Sequence, residues 1–315
     1  MIYVLTKKII NSGIPQGSIL GPILFSLFIN DINVPINVNY HLFADDLQIY
    51  DSDFFKDIDC CVNRLNIALD LISNWTVKNQ ININSSKTQA IIITYNKRYL
   101  STVKSLKLNI KKDEVQYYDS AKNLGLIINP TLSWEDHVNN ICRKIYITLG
   151  QLWPSAYFTP INAKLKLIRS LIVPHILYCA PIYSGCSETT WNGLNIAFNA
   201  CARYIFNIQR NKSISNFSKQ ILNCDLRSYL DFANALFLFK VIKFKQPSYL
   251  YDNLAFSKSS RTCNINLPKN CLTKSRQASF FVNVVKIWNS LPIDIKCECS
   301  LSKFKKMTFE HISSR

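Results

Sequence analysis

The chain has 315 residues, 48% of them hydrophobic, which is enough apolar material for two domains with real cores and excludes a disordered polypeptide. Its 37 Lys and Arg against 20 Asp and Glu leave a formal charge of +17, so the partner to look for is a polyanion, nucleic acid before an anionic membrane surface. Eleven cysteines form no C-x-x-C ladder, and "MIYVLTKKII" lacks the apolar stretch and cleavage site of a secretory signal, which points to a reducing compartment with most thiols in cores.

In chain order, "YVLTKKII" alternates as a strand, "SGIPQGS" is a turn, and "PILFSLFIND" is an apolar helix with Pro22 at its first position. "NYHLFADDLQIY" predicts a hairpin with Asp45 and Asp46 at the bend. Ile58, Val62, Leu65, Leu69, Ile72 and Trp75 recur at spacings of three and four, an amphipathic helix. "QAIIITY" predicts a buried strand and "LKLNIKKDEVQYY" a hairpin turning at Lys112 and Asp113. Together these describe an α+β layer, helices on one face of an antiparallel sheet.

From about Trp134 the pattern becomes helical: "WEDHVNNICRKIYITLGQL", "INAKLKLIRSLIVPHILY", "WNGLNIAFNACARYIFNI", "LRSYLDFANALFLFKVIKF" and, after an irregular stretch, Ala278 to Leu291. A boundary is expected near residue 130, in "NPTLS", giving domains at 1–130, 131–225 and 226–315. The uncharged runs Gly13–Asn30 and Ser170–Ser187 approach membrane-spanning length, but two prolines and at least one glycine in each argue against a membrane span.

An Asp-Asp bend in isolation is a solvated turn. Here Leu42, Phe43 and Ala44 precede the pair and Leu47 and Ile49 follow it, so the carboxylates sit beside a core and repel one another unless a cation lies between them. In so basic a chain the fitting cation is Mg²⁺, which takes carboxylate oxygens together with substrate phosphates. That chemistry is two-metal phosphoryl transfer, with metals about 3.5–4 Å apart and a third carboxylate from a neighbouring strand.

"GIPQGSILGPILFSLFIND" followed by "HLFADD" resembles the two best-known consecutive motifs of reverse transcriptases of non-LTR retrotransposons. "NSSKT" (84–88) resembles the lysine-bearing motif that follows their catalytic hairpin, "KNLGLIINPTLSWEDHV" (122–138) their primer grip, and "SFFVNVVKIWNSLPIDIK" (279–296) the terminal region of jockey-like elements. The resemblance implies a partial palm over 1–130, a helical thumb-like domain over 131–225 and a helical C-terminal region. It implies an RNA-directed DNA polymerase acting with Mg²⁺, dNTPs, an RNA template and a DNA primer, without a membrane, in the nucleus or cytoplasm.

By position, Asp45 and Asp46 would ligate metal and Lys87 would face the triphosphate. Pro15, Gln16, Gly17 and Ser18 would lie against nucleotide and template, with Gly17 allowing close backbone approach, and Leu124 and Gly125 would hold the primer end. Arg143, Lys144, Lys164, Lys166 and Arg169, with Arg203, Arg210 and Lys212 beyond them, would meet nucleic-acid phosphates. Only twelve residues precede Gly13, none of them Asp or Glu, whereas the family carries a further catalytic Asp strand upstream. The expectation is therefore a truncated polymerase, inactive alone.

Two other readings are a domesticated nucleic-acid-binding protein and a group II intron maturase relative; "IWNSLPIDIK" and "NPTLSWEDHV" favour the retrotransposon. Zinc on Cys263, Cys271, Cys297, Cys299 and His311 is not expected, because C-x7-C and C-x-C match no finger. His41 is expected to be structural.

Overall fold

A computed structural model of the chain describes residues 17–33, 37–96, 98–209, 211–257, 263–268 and 279–314. The strand expected in "YVLTKKII" lies outside them. The chain divides into two compact units, Met1–Ala121 and Lys122–Arg315.

In the first unit, α1 (Gly21–Ile29) starts where Pro22, with its preset φ and no N–H, fits a first turn. The Ser18 hydroxyl accepts the Gly21 N–H at 3.0 Å. Strands β1 (Asn39–Phe43) and β2 (Asp46–Tyr50) pair antiparallel with Leu42 opposite Leu47 and Phe43 opposite Asp46. Their register puts Leu42, Leu47 and Ile49 on one face, where they pack with Phe25 of α1 against Ile29, Ile32, Ala68 and Ile72. The helix α2 (Ile58–Lys78) supplies Ala68 and Ile72 to that cluster, while its Val62 and Leu69 join Leu108, Ile110 and Val115 in a second one. It supplies buried residues to both small cores, and Ile49 of β2 packs against both as well.

After α3 (Arg98–Lys104), strands β3 (Asn109–Ile110) and β4 (Asp113–Glu114) form a hairpin whose turn is Lys111–Lys112, one residue earlier than expected. Buried Ile110 pairs with Asp113, so core packing sets that register. The expected buried strand "QAIIITY" does not form: only Ala90 bridges, to Tyr117, and Ile93 and Tyr95 are exposed. Among the described residues every sheet has two strands, so the expected layer is a set of separate hairpins packed on helices, still α+β.

The second unit opens within β5 (Ala121–Asn123), which pairs with β6 (Leu126–Ile128), and continues through α4 (Glu135–Leu152), α5 (Ile161–Leu171), α6 (Val173–Leu177), α7 (Ala180–Tyr183), α8 (Glu188–Phe206), α9 (Ser215–Leu222) and α10 (Leu226–Phe244). The single helix expected over "INAKLKLIRSLIVPHILY" is two, because Pro174 lacks an N–H and restricts the residue before it. Ile141, Ile145 and Leu149 of α4 pack with Ile168 of α5 and Leu194, Phe198 and Ile205 of α8. The helix α10 is apolar nearly all round because it serves two cores: Leu226 and Leu230 face that cluster, whereas Phe232, Ala235, Leu238 and Phe239 face a second. There they meet α12 (Phe280–Asn289) and α14 (Leu301–Ser313), with the Phe239 and Phe304 rings stacked at 4.0 Å. The short helices α11 (Ser248–Tyr251) and α13 (Ile293–Lys296) complete the unit. No helix among the described residues is long and apolar enough to cross a membrane.

Candidate active site

The β1–β2 hairpin turns through Ala44 and Asp45, with Asp46 already the first residue of β2. Of the two turn residues only Ala44 has a positive φ, +52°, a position that the twist of a two-residue hairpin usually assigns to glycine. Both carboxylates are exposed at the tip, and among the described residues neither is in an ion pair. Asp46 shares the outer face with His41, Phe43 and Tyr50, opposite the face anchored on α1 and α2. His41 is a structural member of that face, stacked on Tyr50 at 5.2 Å with its Nε2 3.2 Å from the phenol oxygen.

Behind the hairpin lies a contact that motif reading missed. Arg64 of α2 donates through Nε to Asp51 at 2.6 Å and through Nη2 to Asp53 at 3.0 Å, tying the exit of β2 to the helix beneath. Burial works to raise the Asp51 carboxyl, but the Arg64 hydrogen bond, the Ser52 amide and the Arg64 charge outweigh it and hold it below its usual value. The Arg64 hydrogen bond likewise lowers Asp53. The i, i+2 acidic pair "DSD" facing a helical arginine was the available signal.

Of the loop predicted to meet nucleotide and template, Pro15 and Gln16 lie outside the described residues. Gly17 takes φ +87°, a conformation open to glycine at little cost, and Ser18 caps α1. Lys87 is exposed at the end of a short 3-10 turn, Ser85–Lys87. Asn84 builds that turn, its Oδ1 accepting the Lys87 N–H at 3.2 Å and the Ser86 hydroxyl at 2.6 Å.

Leu124 and Gly125 form the β5–β6 turn with φ +45° and +87°, the double positive of a type I′ hairpin. The Tyr178 hydroxyl donates to the Leu124 carbonyl, and its ring lies 3.3 Å from where a Cβ on Gly125 would stand. Further along, Asn129 donates to Ser133 Oγ at 2.8 Å and Asp136 at 3.2 Å and accepts the Ser133 N–H, so "NPTLSWED" is the entry to α4.

The expected basic helix face divides. Arg143 and Lys144 of α4 and Lys166 of α5 are exposed. Lys164 is not a surface charge: it is 1% exposed, its Nζ donates to Asn207 Oδ1 at 2.9 Å and lies over the Tyr204 ring, and burial pulls its pKa down. Its place one turn before Ile168 puts it on the buried stripe of α5. Arg169 holds the end of α9 through the Ile221 and Gln220 carbonyls at 2.7 and 3.3 Å, and Arg203 similarly holds those of Gln209 and Lys212. Lys212 is exposed, and Arg210 lies outside the described residues.

Among the described residues no three His, Cys, Asp or Glu side chains converge to hold a metal ion. Two exposed carboxylates at one hairpin tip fit a hard divalent cation as part of its shell, with water and phosphate oxygens for the rest. Cys263 and Cys297 lie 3.5 Å apart through sulfur, and among the described residues no group of three possible metal ligands includes them; Cys271 lies outside those residues.

The reverse transcriptase (RNA-dependent DNA polymerase) family matches residues 4–128, the stretch holding both motifs, Lys87 and the Leu124–Gly125 turn. The class this points to is a reverse transcriptase, similar over residues 4–128. Its relatives place that stretch among LINE-like, non-LTR mobile elements. The chain is 24% identical over 205 residues to the RNA-directed DNA polymerase from mobile element jockey of Drosophila melanogaster, covering 62% of this chain and 22% of that protein. It is 24% identical over 216 residues to the probable polymerase from transposon X-element of the same fly, 64% of this chain and 22% of that one. It is also 22% identical over 227 residues to the Pol polyprotein from type-1 retrotransposable element R1 2 of Nasonia vitripennis, 67% of this chain and 52% of that protein. The chain thus spans about a fifth of the first relatives' length. No solved structure matches it. Members of the family use divalent metal ions.

Proposed function

We propose that the chain is part of an RNA-directed DNA polymerase of a non-LTR retrotransposon, with a partial palm over 1–130, a thumb-like helical domain over 131–225 and a helical C-terminal region over 226–315. The observation that carries this reading is the hairpin: its inner face is fixed on α1 and α2, and its tip holds Asp45 and Asp46 free of any ion pair among the described residues. A carboxylate pair held this way is ready to accept a cation rather than to neutralise a neighbouring lysine. The ion assigned is Mg²⁺, which when bound offsets the charge of the reacting phosphates.

The chain's own residues then divide the work. Asp45 and Asp46 offer oxygen ligands. The Gly17 backbone and the Ser18 hydroxyl face the incoming dNTP and template, together with Pro15 and Gln16. Lys87 offsets triphosphate charge or protonates the leaving pyrophosphate. Leu124 and Gly125 hold the primer end, and Arg143, Lys144 and Lys166 meet phosphates of the RNA template and DNA primer. The setting is the nucleus or cytoplasm.

A further support is the outer face of α1, where Ile23, Leu24, Leu27 and Phe28 stand exposed together. An apolar patch of that kind suits burial under additional polypeptide, as in a larger polymerase. Among the described residues no third metal-ligating side chain joins the two carboxylates, so the chain is expected not to synthesise DNA by itself. The test is primer extension on an RNA template with Mg²⁺: no product is expected, and robust synthesis abolished by Asp45→Asn would overturn the inactivity while upholding the site. A purely non-catalytic nucleic-acid binder would instead bind template and primer while gaining nothing from Asp45 or Asp46.

A further inference from the structure

The second unit contains a cavity of about 510 Å³, far along the chain from the motifs above. Its wall combines the aliphatic Val173, Ile221 and Leu222 with three rings, Tyr229 and Phe232 of α10 and Phe309 of α14, Phe309 being centred 5.3 Å from Phe232 and 6.4 Å from Tyr229 at steep interplanar angles. Its rim is cationic: Arg169 of α5 and Lys305 and Lys306 of α14. Among the described residues none of the three is in an ion pair. Arg169 donates to the neutral Ile221 and Gln220 carbonyls, which fixes its guanidinium without cancelling its charge.

Apolar ring surface and uncompensated positive charge within one hollow select a ligand with a flat apolar part joined to an anion. The volume lies within the range for a ligand of drug or nucleotide size. An acidic peptide satisfies the rim but not the rings. A paired duplex satisfies the rim but keeps its bases stacked inside the helix. An unpaired nucleotide satisfies both, since stacking on aromatic side chains gains roughly 5- to 160-fold in affinity per base and tolerates any base.

We infer that this cavity seats one unpaired base of a single-stranded nucleic acid, with a flanking phosphate against Arg169, Lys305 and Lys306. The inference rests on the nucleic-acid reading proposed above. It adds a capture site for strand that is not part of a template–primer duplex.

The test uses the full chain and fluorescence anisotropy of a labelled short oligo(U) and an abasic strand of the same length, titrated over a range of KCl. The wild-type chain is expected to bind both, the base-bearing strand more tightly. Lys305→Gln with Lys306→Gln should weaken both and reduce the log–log salt slope by roughly 0.7, the one flanking phosphate on a single strand. Ser302→Trp, which fills the cavity from its exposed side without removing a core side chain, and Phe309→Leu should each abolish the preference for bases. Arg143→Gln with Lys144→Gln should lower affinity for both strands and leave that preference intact. A base preference that survives both Ser302→Trp and Phe309→Leu overturns the cavity assignment, as does a wild-type chain that does not distinguish the strands. Failure to bind either strand overturns the nucleic-acid reading itself.

Discussion

Replacing Gly125 with alanine tests how the β5–β6 turn is built. The residue has φ +87°, outside the small left-handed region that L-residues enter, and a left-handed L-residue costs about 1–2 kcal/mol. The new Cβ would stand 3.3 Å from Tyr178 Cε1, and the ring cannot swing away freely because its hydroxyl is bonded to the Leu124 carbonyl. The two effects act in the same direction, so Gly125→Ala should destabilise the second unit by about 2 kcal/mol. With a urea slope of roughly 2 kcal/mol per molar, the unfolding midpoint should fall by about 1 M. Adding Tyr178→Phe should make the alanine less costly than it is alone, because the ring is released from its anchor. A Gly125→Ala midpoint equal to wild type would refute both the turn assignment and the Tyr178 anchor.

Three further outcomes follow from the same structure. Lys164→Met should leave the salt dependence of nucleic-acid binding unchanged in a titration where Lys166→Gln lowers the slope, since only the latter charge reaches solvent. His137 is 3% exposed and its pKa is lowered, by burial first and by the Lys144 charge second. Above pH 6.5 it is neutral in folded and unfolded chains alike; below it the unfolded chain takes the proton and the folded chain does not, so stability falls as pH falls, by at most about 1.4 kcal/mol per pH unit. Urea melts at pH 7.5 and 5.5 should show that loss, and His137→Asn, which keeps an acceptor for the Ile127 N–H, should lessen it. Ala44→Gly should relieve the positive φ at the hairpin tip, making the first unit up to about 1 kcal/mol more stable in thermal melts, and a loss of stability there would contradict the turn assignment.

The elements legible from the sequence were those with strong local signals. Pro22 and the apolar run after it marked α1, the three–four spacing from Ile58 to Trp75 marked α2, and paired alternation marked the β1–β2 hairpin. "QAIIITY" misled because a short apolar run reads the same whether or not a partner strand lies beside it, and only Ala90 found one. Lys164 misled because lysine is seldom buried, and nothing local announces that Asn207, 43 residues away, will accept its hydrogen bond. The Arg64 tie to Asp51 and Asp53 left only the "DSD" spacing as a local signal, because a contact between a strand exit and a helix face exists only once both elements pack. Asp45 and Asp46 were visible as a motif, whereas the structure added the separation of an anchored inner face from an outer face carrying Asp46.

The claim on which the account turns is that the hairpin tip ligates a divalent cation beside a nucleotide. Mn²⁺ binding followed by electron paramagnetic resonance, in the presence of dNTP, reads that directly. A saturable site is expected on the wild-type chain that disappears in the Asp45→Asn, Asp46→Asn double variant while the thermal melt stays unchanged. Equal Mn²⁺ binding by the two proteins would contradict it.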